Sequence, residues 1–456
     1  MKRYEEYTTI DSRWANYIPA SWTFSKIAEV FIERKETNDP IKTTDILSLT
    51  NTRGVIPYRE KGNIGNKAKE DLTGYRLAYP EDIVFNSMNA VIGSVGLSKY
   101  FGAVSPVYYM LYLRDTAKNN IHFFDYVFQD RVFQSGLNGL GNGILEIRMR
   151  IPMSKLKYVG VPVPPRTEQD QIVRYLDWQV SKINRLIAAK REKIALFEEL
   201  KTHQTTDAVL HGVKQYKKYI ETQEFGRIPA HWQIYQNKRL FRERVEHSKM
   251  GAETLLSVSK HYGVKPSADL TEDEQFATIK PALSLAGYKV VHKNDLVMNI
   301  MRARNGSYGI SAYNGIVSPA YCIYYVTKNC NVKYLHYFLR TPHVKSLFET
   351  YSSGIAEHRR RLYPEDFLRL ASVLPPIEDQ NEIVEYIGQS LVKYDEVIAN
   401  LKRQIACLQD MKTRLISDVV TGQVDVRGIK VPDDEYINNE ITEEEFEEES
   451  ENNEEE

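Results

Sequence analysis

The chain of 456 residues has only three cysteines, Cys322, Cys330 and Cys407, scattered and odd in number. So sparse a set argues against a disulfide framework or a zinc site and fits a reducing cytosol. No apolar run approaches the roughly 18 residues that a membrane span needs. The opening MKRYEEYTTIDSRW lacks the apolar segment of a secretory signal. Catalytic signatures are missing as well. There is no Gly-rich loop ending in Gly-Lys-Ser/Thr, and the ten histidines form no His-Glu-x-x-His or Cys/His cluster. Pro164-Pro165 and Pro375-Pro376 lead into Arg166 and Ile377 rather than the aromatic residue of an amino-methyltransferase motif. The glycine-rich stretch GLNGLGNG, residues 136–143, is out of GxGxxG register and reads as a surface loop rather than a phosphate cradle.

What is present is charge of unequal distribution. The formal net charge is −1. Residues 433–456 hold 14 acidic and no basic side chains, so the remaining body carries 60 basic against 47 acidic residues, a charge of +13. A body of that sign favours polyanions. The acidic end has too few apolar residues to fold and is expected to be disordered. Two readings of it stay open, a solubilising end and a DNA-mimicking brake on the basic body.

The chain also repeats itself at an offset near 211. Ile18-Pro-Ala-Ser-Trp22 returns as Ile228-Pro-Ala-His-Trp232, and VPPRTEQDQIVRYLD from Val163 returns as LPPIEDQNEIVEYIG from Leu374. Between them Gly54-Val-Ile-Pro57 matches Gly263-Val-Lys-Pro266, Asp82-Ile-Val-Phe-Asn86 matches Asp295-Leu-Val-Met-Asn299, and Gly93-Ser94 matches Gly306-Ser307. A fixed internal period means a duplicated structural unit. The offset drifts within the globular parts and holds at 211 in the segments that follow Pro-Pro, so insertions and deletions fall in the globular parts.

Short runs rich in β-branched and aromatic residues, such as Val107–Tyr112 and Tyr321–Val326, predict β-rich globular halves. After each Pro-Pro pair, acidic residues at the start and a 3.5-residue apolar period predict a helix of about 40 residues. The first seam is Leu176, Val180, Ile183, Ile187, Ile194 and Phe197. The second is Ile387, Leu391, Tyr394, Ile398, Leu401, Ile405 and Leu408. Gly212 and Gly422 stand where such helices stop. The matching seams suggest that the helices pack on each other, antiparallel; the alternative is that each packs only on its own globular half.

Loops that differ between the halves are the candidate reading elements. Arginine presents a fork to guanine and asparagine pairs with adenine. The candidates in the first half are Asn86, Asn89, Asn138, Asn142, Arg148 and Arg150. In the second half they are Asn299, Arg302, Arg304, Asn305, Arg359, Arg360 and Arg361. Any one of them could equally be a solvated surface residue; their clustering at corresponding places in the two repeats favours binding.

Taken together in this order, the paired Ile-Pro-x-x-Trp and Pro-Pro-x-x-Glu/Asp-Gln-x-x-Ile-Val motifs and the two long helices resemble the specificity subunit of type I restriction–modification enzymes, over about residues 14–425. The resemblance implies an α+β fold with an internal pseudo-twofold repeat: two β-rich target-recognition domains (14–163 and 213–374) joined by spacer helices (164–212 and 375–425) that form an antiparallel coiled coil, flanked by an N-terminal segment (1–13) and an acidic tail (426–456). It implies a cytoplasmic, non-catalytic, cofactor-free and metal-free subunit that reads a bipartite asymmetric sequence in double-stranded DNA. Its expected partners are two modification subunits, which methylate adenine N6, and restriction subunits. S-adenosylmethionine, ATP and Mg belong on those partners, and no membrane is involved. A coiled-coil protein-interaction scaffold that does not bind DNA is the alternative class. Salt-dependent affinity for DNA separates the two.

Overall fold

The computed structural model describes residues 2–51, 53–61, 68–141, 150–260, 262–270, 284–354 and 360–432. The chain divides into two compact units. The first comprises residues 1–191 and 402–456, and the second residues 192–401.

Each unit is built on a four-stranded antiparallel sheet of the same order. In the first unit the strands are Phe31–Arg34, Tyr108–Leu113, Ile83–Asn86 and Val95–Leu97. In the second they are Phe241–Glu243, Tyr321–Val326, Leu296–Asn299 and Tyr308–Ile310. Successive strand residues point to opposite faces, and here both faces are covered. Ile83, Phe85, Tyr109 and Leu111 join a core with Phe123, Phe124, Phe128 and Phe133 of two short helices. Val84 and Met110 face the hairpin residues Leu47, Leu49 and Val55. In the second unit Leu296, Met298 and Tyr324 face one way, and Val297 and Ile323 the other. Burial on two sides explains why these strands are almost wholly apolar in sequence rather than alternating.

The hairpins are Leu47–Thr50 with Gly54–Pro57 and Leu256–Ser259 with Gly263–Pro266. Their backbone comes so close to the sheet that a Cβ on Gly96 would lie 3.1 Å from Gly54, and one on Gly309 would lie 3.1 Å from Gly263. A buried fork repeats too. Arg34 Nε and Nη2 meet Asp82 at 2.8 and 3.0 Å, and Arg244 meets Asp295 at 2.7 and 3.0 Å.

The long helices span Arg166–His211 and Ile377–Val420, and end before Gly212 and Gly422, which have φ of +84° and +73°. Their start explains the repeated motifs. Gln169 and Gln380 are fully buried. Each carboxamide accepts the N–H that opens a domain helix, from Asn120 at 2.7 Å and Asn331 at 2.8 Å. Each also donates to the proline carbonyl ahead of its own helix, Pro164 at 2.8 Å and Pro375 at 2.7 Å. The motif tryptophans donate to the acidic residue one position earlier in the helix: Trp22 Nε1 to Glu168 and Trp232 Nε1 to Asp379, both at 3.0 Å. Burial alone would raise the Asp379 carboxyl, but hydrogen bonds from Lys214, Trp232 and His231 hold it below its ordinary range.

The helices pair antiparallel within each unit. Cross-helix hydrogen bonds link Asn184 with Lys412 (3.0 Å) and Lys190 with Gln404 (2.6 Å) in the first unit, and Lys201 with Asp395 (2.6 Å) and Gln204 with Tyr386 (2.5 Å) in the second. All thirteen predicted seam residues are buried or half-buried, and the Phe197 and Tyr394 rings meet at a tilt of 55° with centroids 6.2 Å apart. Beyond the predicted positions the helix ends also enter the cores, with Leu415, Ile416, Val419 and Val420 in the first unit and Ala208, Val209 and Leu210 in the second.

The ends of the chain belong to the first unit. Tyr7–Thr9 pairs with Tyr17–Pro19, the Asp425 N–H donates to the Lys2 carbonyl at 2.9 Å, and Gln171 Nε2 donates to Val426 and Ile429 carbonyls at 3.0 and 2.7 Å. Residues 2–13 and 426–432, set apart in the sequence reading, thus pack on the first unit, with Val426 fully buried. The acidic residues 433–456 lie outside the described residues.

Candidate nucleic-acid interface

At the end of the central strand of each sheet the chain makes the same protruding turn. In the first unit, the Asn86 side chain accepts from Met88 N (3.0 Å), the Ser94 carbonyl accepts from Asn86 N (3.0 Å), and a single 3-10 turn Ala90–Ile92 ends at Gly93. In the second, Asn299 accepts from Met301 N (3.1 Å), Ser307 from Asn299 N (3.0 Å), and Ala303–Asn305 ends at Gly306. The backbones coincide: φ, ψ of −124°, 12° at Asn89 and −124°, 14° at Arg302, and φ of +98° and +90° at the glycines. The positive φ makes glycine the residue of low cost there. Ala90 and Ala303 are fully buried and pin the turn down.

On this common backbone the side chains differ. Asn89, Val91 and Ile92 stand where Arg302, Arg304 and Asn305 stand. Arg302 is exposed; Arg304 and Asn305 are half-buried. A second segment docks beside each turn. Ile151 N donates to the Ser87 carbonyl (2.8 Å), and Leu362 N donates to the Ile300 carbonyl (3.0 Å). This brings Arg150 to the first turn and Arg361, whose backbone bridges Ser353, to the second. The segment that carries Arg150 therefore docks beside the turn of Asn89, and the segment that carries Arg361 beside the turn of Arg302, Arg304 and Asn305. These are two clusters of forked and amide donors, the groups that read base edges or hold phosphates.

Other candidates have different work. Asn86 is 7% exposed, and its amide is used by Met88 N and by Ser94 Oγ (3.5 Å), so it shapes the turn rather than facing a ligand. Asn299 does the same and also bonds the Tyr321 hydroxyl, whose pKa burial pushes up. Arg360 donates to the Ser352 and Glu349 carbonyls, each at 3.1 Å, and so caps the C-terminal end of the helix Pro342–Thr350. All three are corrections of the same kind: a polar side chain close to the loop is spent on nearby backbone. Asn138 is exposed, just past the helix Arg131–Gly136. Asn142, Arg148 and Arg359 lie outside the described residues.

Sequence reasoning missed the aromatic and lysine lining of the second cluster. Tyr321 lies beside Arg302, Tyr262 and Tyr288, and Lys289 Nζ donates to the Tyr321 carbonyl at 2.8 Å. Lys265 sits 4.3 Å over the Tyr262 ring. The signal was the recurrence of Tyr75 and Tyr108 as Tyr288 and Tyr321, lost among thirty tyrosines. Among the described residues no group of His, Cys, Asp and Glu is placed to hold a metal ion, and no helix is long and apolar enough to cross a membrane.

Residues 19–196 match the family model of the type I restriction modification DNA specificity domain. The specificity subunit of the MjaX type I restriction enzyme of Methanocaldococcus jannaschii is 22% identical over 444 residues, covering 90% of this chain and 95% of the relative. A chain in a solved structure concerned with complex assembly and conformational transition of a type I restriction–modification system shares the fold: TM-score 0.57 at 14% identity, over 89% of this chain and 99% of that one. The relative and the solved chain align across both repeats and both long helices, the family model covers the first repeat and most of its long helix, and all three make the chain similar to the specificity subunits of type I restriction–modification systems.

Proposed function

We propose that this chain reads a bipartite, asymmetric sequence in double-stranded DNA, one half-site with each unit, and that the paired helices set the distance between the half-sites. The observation that carries this reading is the repeated turn, whose backbone is common to the two units while its outward side chains differ. One scaffold with two different sets of donors suits two different DNA words. The Arg302, Arg304 and Arg361 cluster offers forks to guanine O6 and N7 in a major groove, and charge to phosphates.

The chain acts as a cytoplasmic, non-catalytic subunit. It recruits two modification subunits and the restriction subunits to the site it has bound. S-adenosylmethionine, ATP and Mg are used by those partners, and target-base extrusion belongs to the modification subunits. The exposed faces of the long helices, away from the seam, serve as docking surfaces as well as a ruler.

Methylome sequencing of cells that express the chain with its modification subunit tests this directly. A bipartite motif is expected. Exchange of residues 14–160 for another module should rewrite one half-site only, and four residues inserted into one long helix should alter the gap and not the bases. A rewrite of both half-sites by the single exchange would refute the modular assignment.

A further inference from the structure

The two turns share their backbone shape yet differ in the side chains at 89, 91 and 92 against 302, 304 and 305. The first exposes apolar surface: Ile92 is 54% exposed and Met88 37%, with Asn89 between them. At the structurally equal positions the second places Asn305, Met301 (47% exposed) and Arg302, with Arg304 in place of Val91. An isoleucine that exposed in a short protruding turn adds nothing to the fold, because the neighbouring Ala90 already anchors the turn and Val91 packs on the core. Ile92 and Met88 thus leave apolar surface open to solvent on either side of Asn89.

The only apolar feature in the major groove is the thymine methyl, and the natural partner of asparagine there is adenine. Guanine is the base that answers an arginine fork. We infer that the units are specialised by base class: the first unit reads an A·T base pair through Ile92, Met88 and Asn89, and the second reads guanine through Arg302 with Arg304. This rests on the DNA-recognition reading above and adds to it the chemistry of each half-site.

The test uses the full chain with its modification partner, bound to duplexes carrying the methylome-derived motif. The exchange of residues 14–160 shows which half-site belongs to which unit. Thymine is then replaced by uracil, which lacks the methyl, and guanine by 7-deazaguanine, which lacks N7, one half-site at a time. Uracil in the first unit's half-site should weaken binding roughly fourfold, the value of one buried methyl, and should be neutral in the other. Deazaguanine in the second unit's half-site should weaken binding about tenfold, within the range of a fork contact. Placing Asn89→Arg with Ile92→Asn in the first turn should transfer deazaguanine sensitivity to that half-site.

Equal deazaguanine losses in the two half-sites would overturn the proposal. So would a first half-site indifferent to uracil or lacking thymine, or a second half-site lacking guanine. An Ile92→Ser variant that keeps its DNA affinity but loses its modification subunit would also overturn it, by making the patch a protein contact. Absence of sequence-specific binding to any duplex is a separate outcome and would remove the DNA reading itself.

Discussion

Gln169 and Gln380 offer the sharpest test of how the units are held to their helices. Replacing Gln169 by leucine keeps the volume and the apolar stem but removes the carboxamide. The Asn120 N–H and the Pro164 carbonyl, now paired at 2.7 and 2.8 Å, lose their partners at a site of 0% exposure. A buried backbone group left unpaired costs about 1–3 kcal/mol. Two such groups, partly offset by the more favourable burial of leucine, give about 2–4 kcal/mol. Because each glutamine clamps its own domain, the loss should be local. Hydrogen exchange followed by mass spectrometry resolves it. In Gln169→Leu, amides of the strands Ile83–Asn86 and Tyr108–Leu113 should exchange about 30- to 700-fold faster, at 1.4 kcal/mol per tenfold, while Leu296–Asn299 and Tyr321–Val326 stay unchanged. Gln380→Leu should give the mirror-image pattern, and the double variant the sum of the two. Unchanged exchange, or equal acceleration in both units from either single variant, would refute the clamp.

Three further outcomes follow from the same structure. Burial holds His336 down to about 4, below its ordinary 6.5, so its stabilising share is full above pH 6.5 and is lost as pH falls through 4. Burial holds the equivalent Asp125 up at about 6, above its ordinary 3.8, so its share is full below pH 3.8 and is lost as pH rises through 6. Acidification from pH 6 to 4 should therefore weaken the second unit and strengthen the first, read as opposite changes in hydrogen exchange, and Asp125→Asn should stabilise the first unit by about 1–3 kcal/mol at pH 7.5. Ile398→Ala, at a 5% exposed seam position, should cost about 2–4 kcal/mol in chemical denaturation. Arg302→Ala should cost about 1–3 kcal/mol in affinity for the target duplex and relax one half-site, whereas Arg360→Ala should lower the melting temperature and leave the methylated motif unchanged.

The long helices were readable in the sequence because a heptad seam is a local pattern, sustained over many turns and written twice. The strands Tyr321–Val326 and Tyr108–Leu113 were readable from composition, but their order in the sheet was not, since pairing joins residues such as Phe31 and Leu113 that are far apart in the chain. Glu168, Gln169 and Trp22 were visible as repeated letters, and only their geometry shows that the repetition is a hydrogen-bond clamp. Among the binding candidates, Arg302 and Arg304 share the second turn, beside the segment that carries Arg361. Asn86, Asn299 and Arg360 did not stay free, because one sequence cannot distinguish an amide or guanidinium that satisfies a nearby backbone group from one that awaits a ligand. The ends of the chain were underestimated for a related reason: a short strand such as Tyr7–Thr9 has no pattern of its own and is defined by its partner at Tyr17–Pro19.

If the turns read DNA as proposed, folding duty and reading duty are separated within nine residues, which lets one scaffold serve two messages. In each turn the asparagine side chain, the buried alanine, the left-handed glycine and the serine carbonyl meet every requirement of the backbone, and those residues are common to both units. Positions 89 and 92, like 302 and 305, contribute no such bond from their side chains to the turn. Substitution at surface positions of that kind usually changes stability by no more than about 0.5 kcal/mol. A side chain there that pairs well with a base edge, by contrast, sets discrimination by about 1–3 kcal/mol. Selection on the DNA word therefore acts almost independently of selection on the fold. The long helices obey the opposite rule. Their seam residues pack the paired helices against each other within each unit, so they are constrained by packing, and the repeat stays in step through the helices while it drifts through the globular parts.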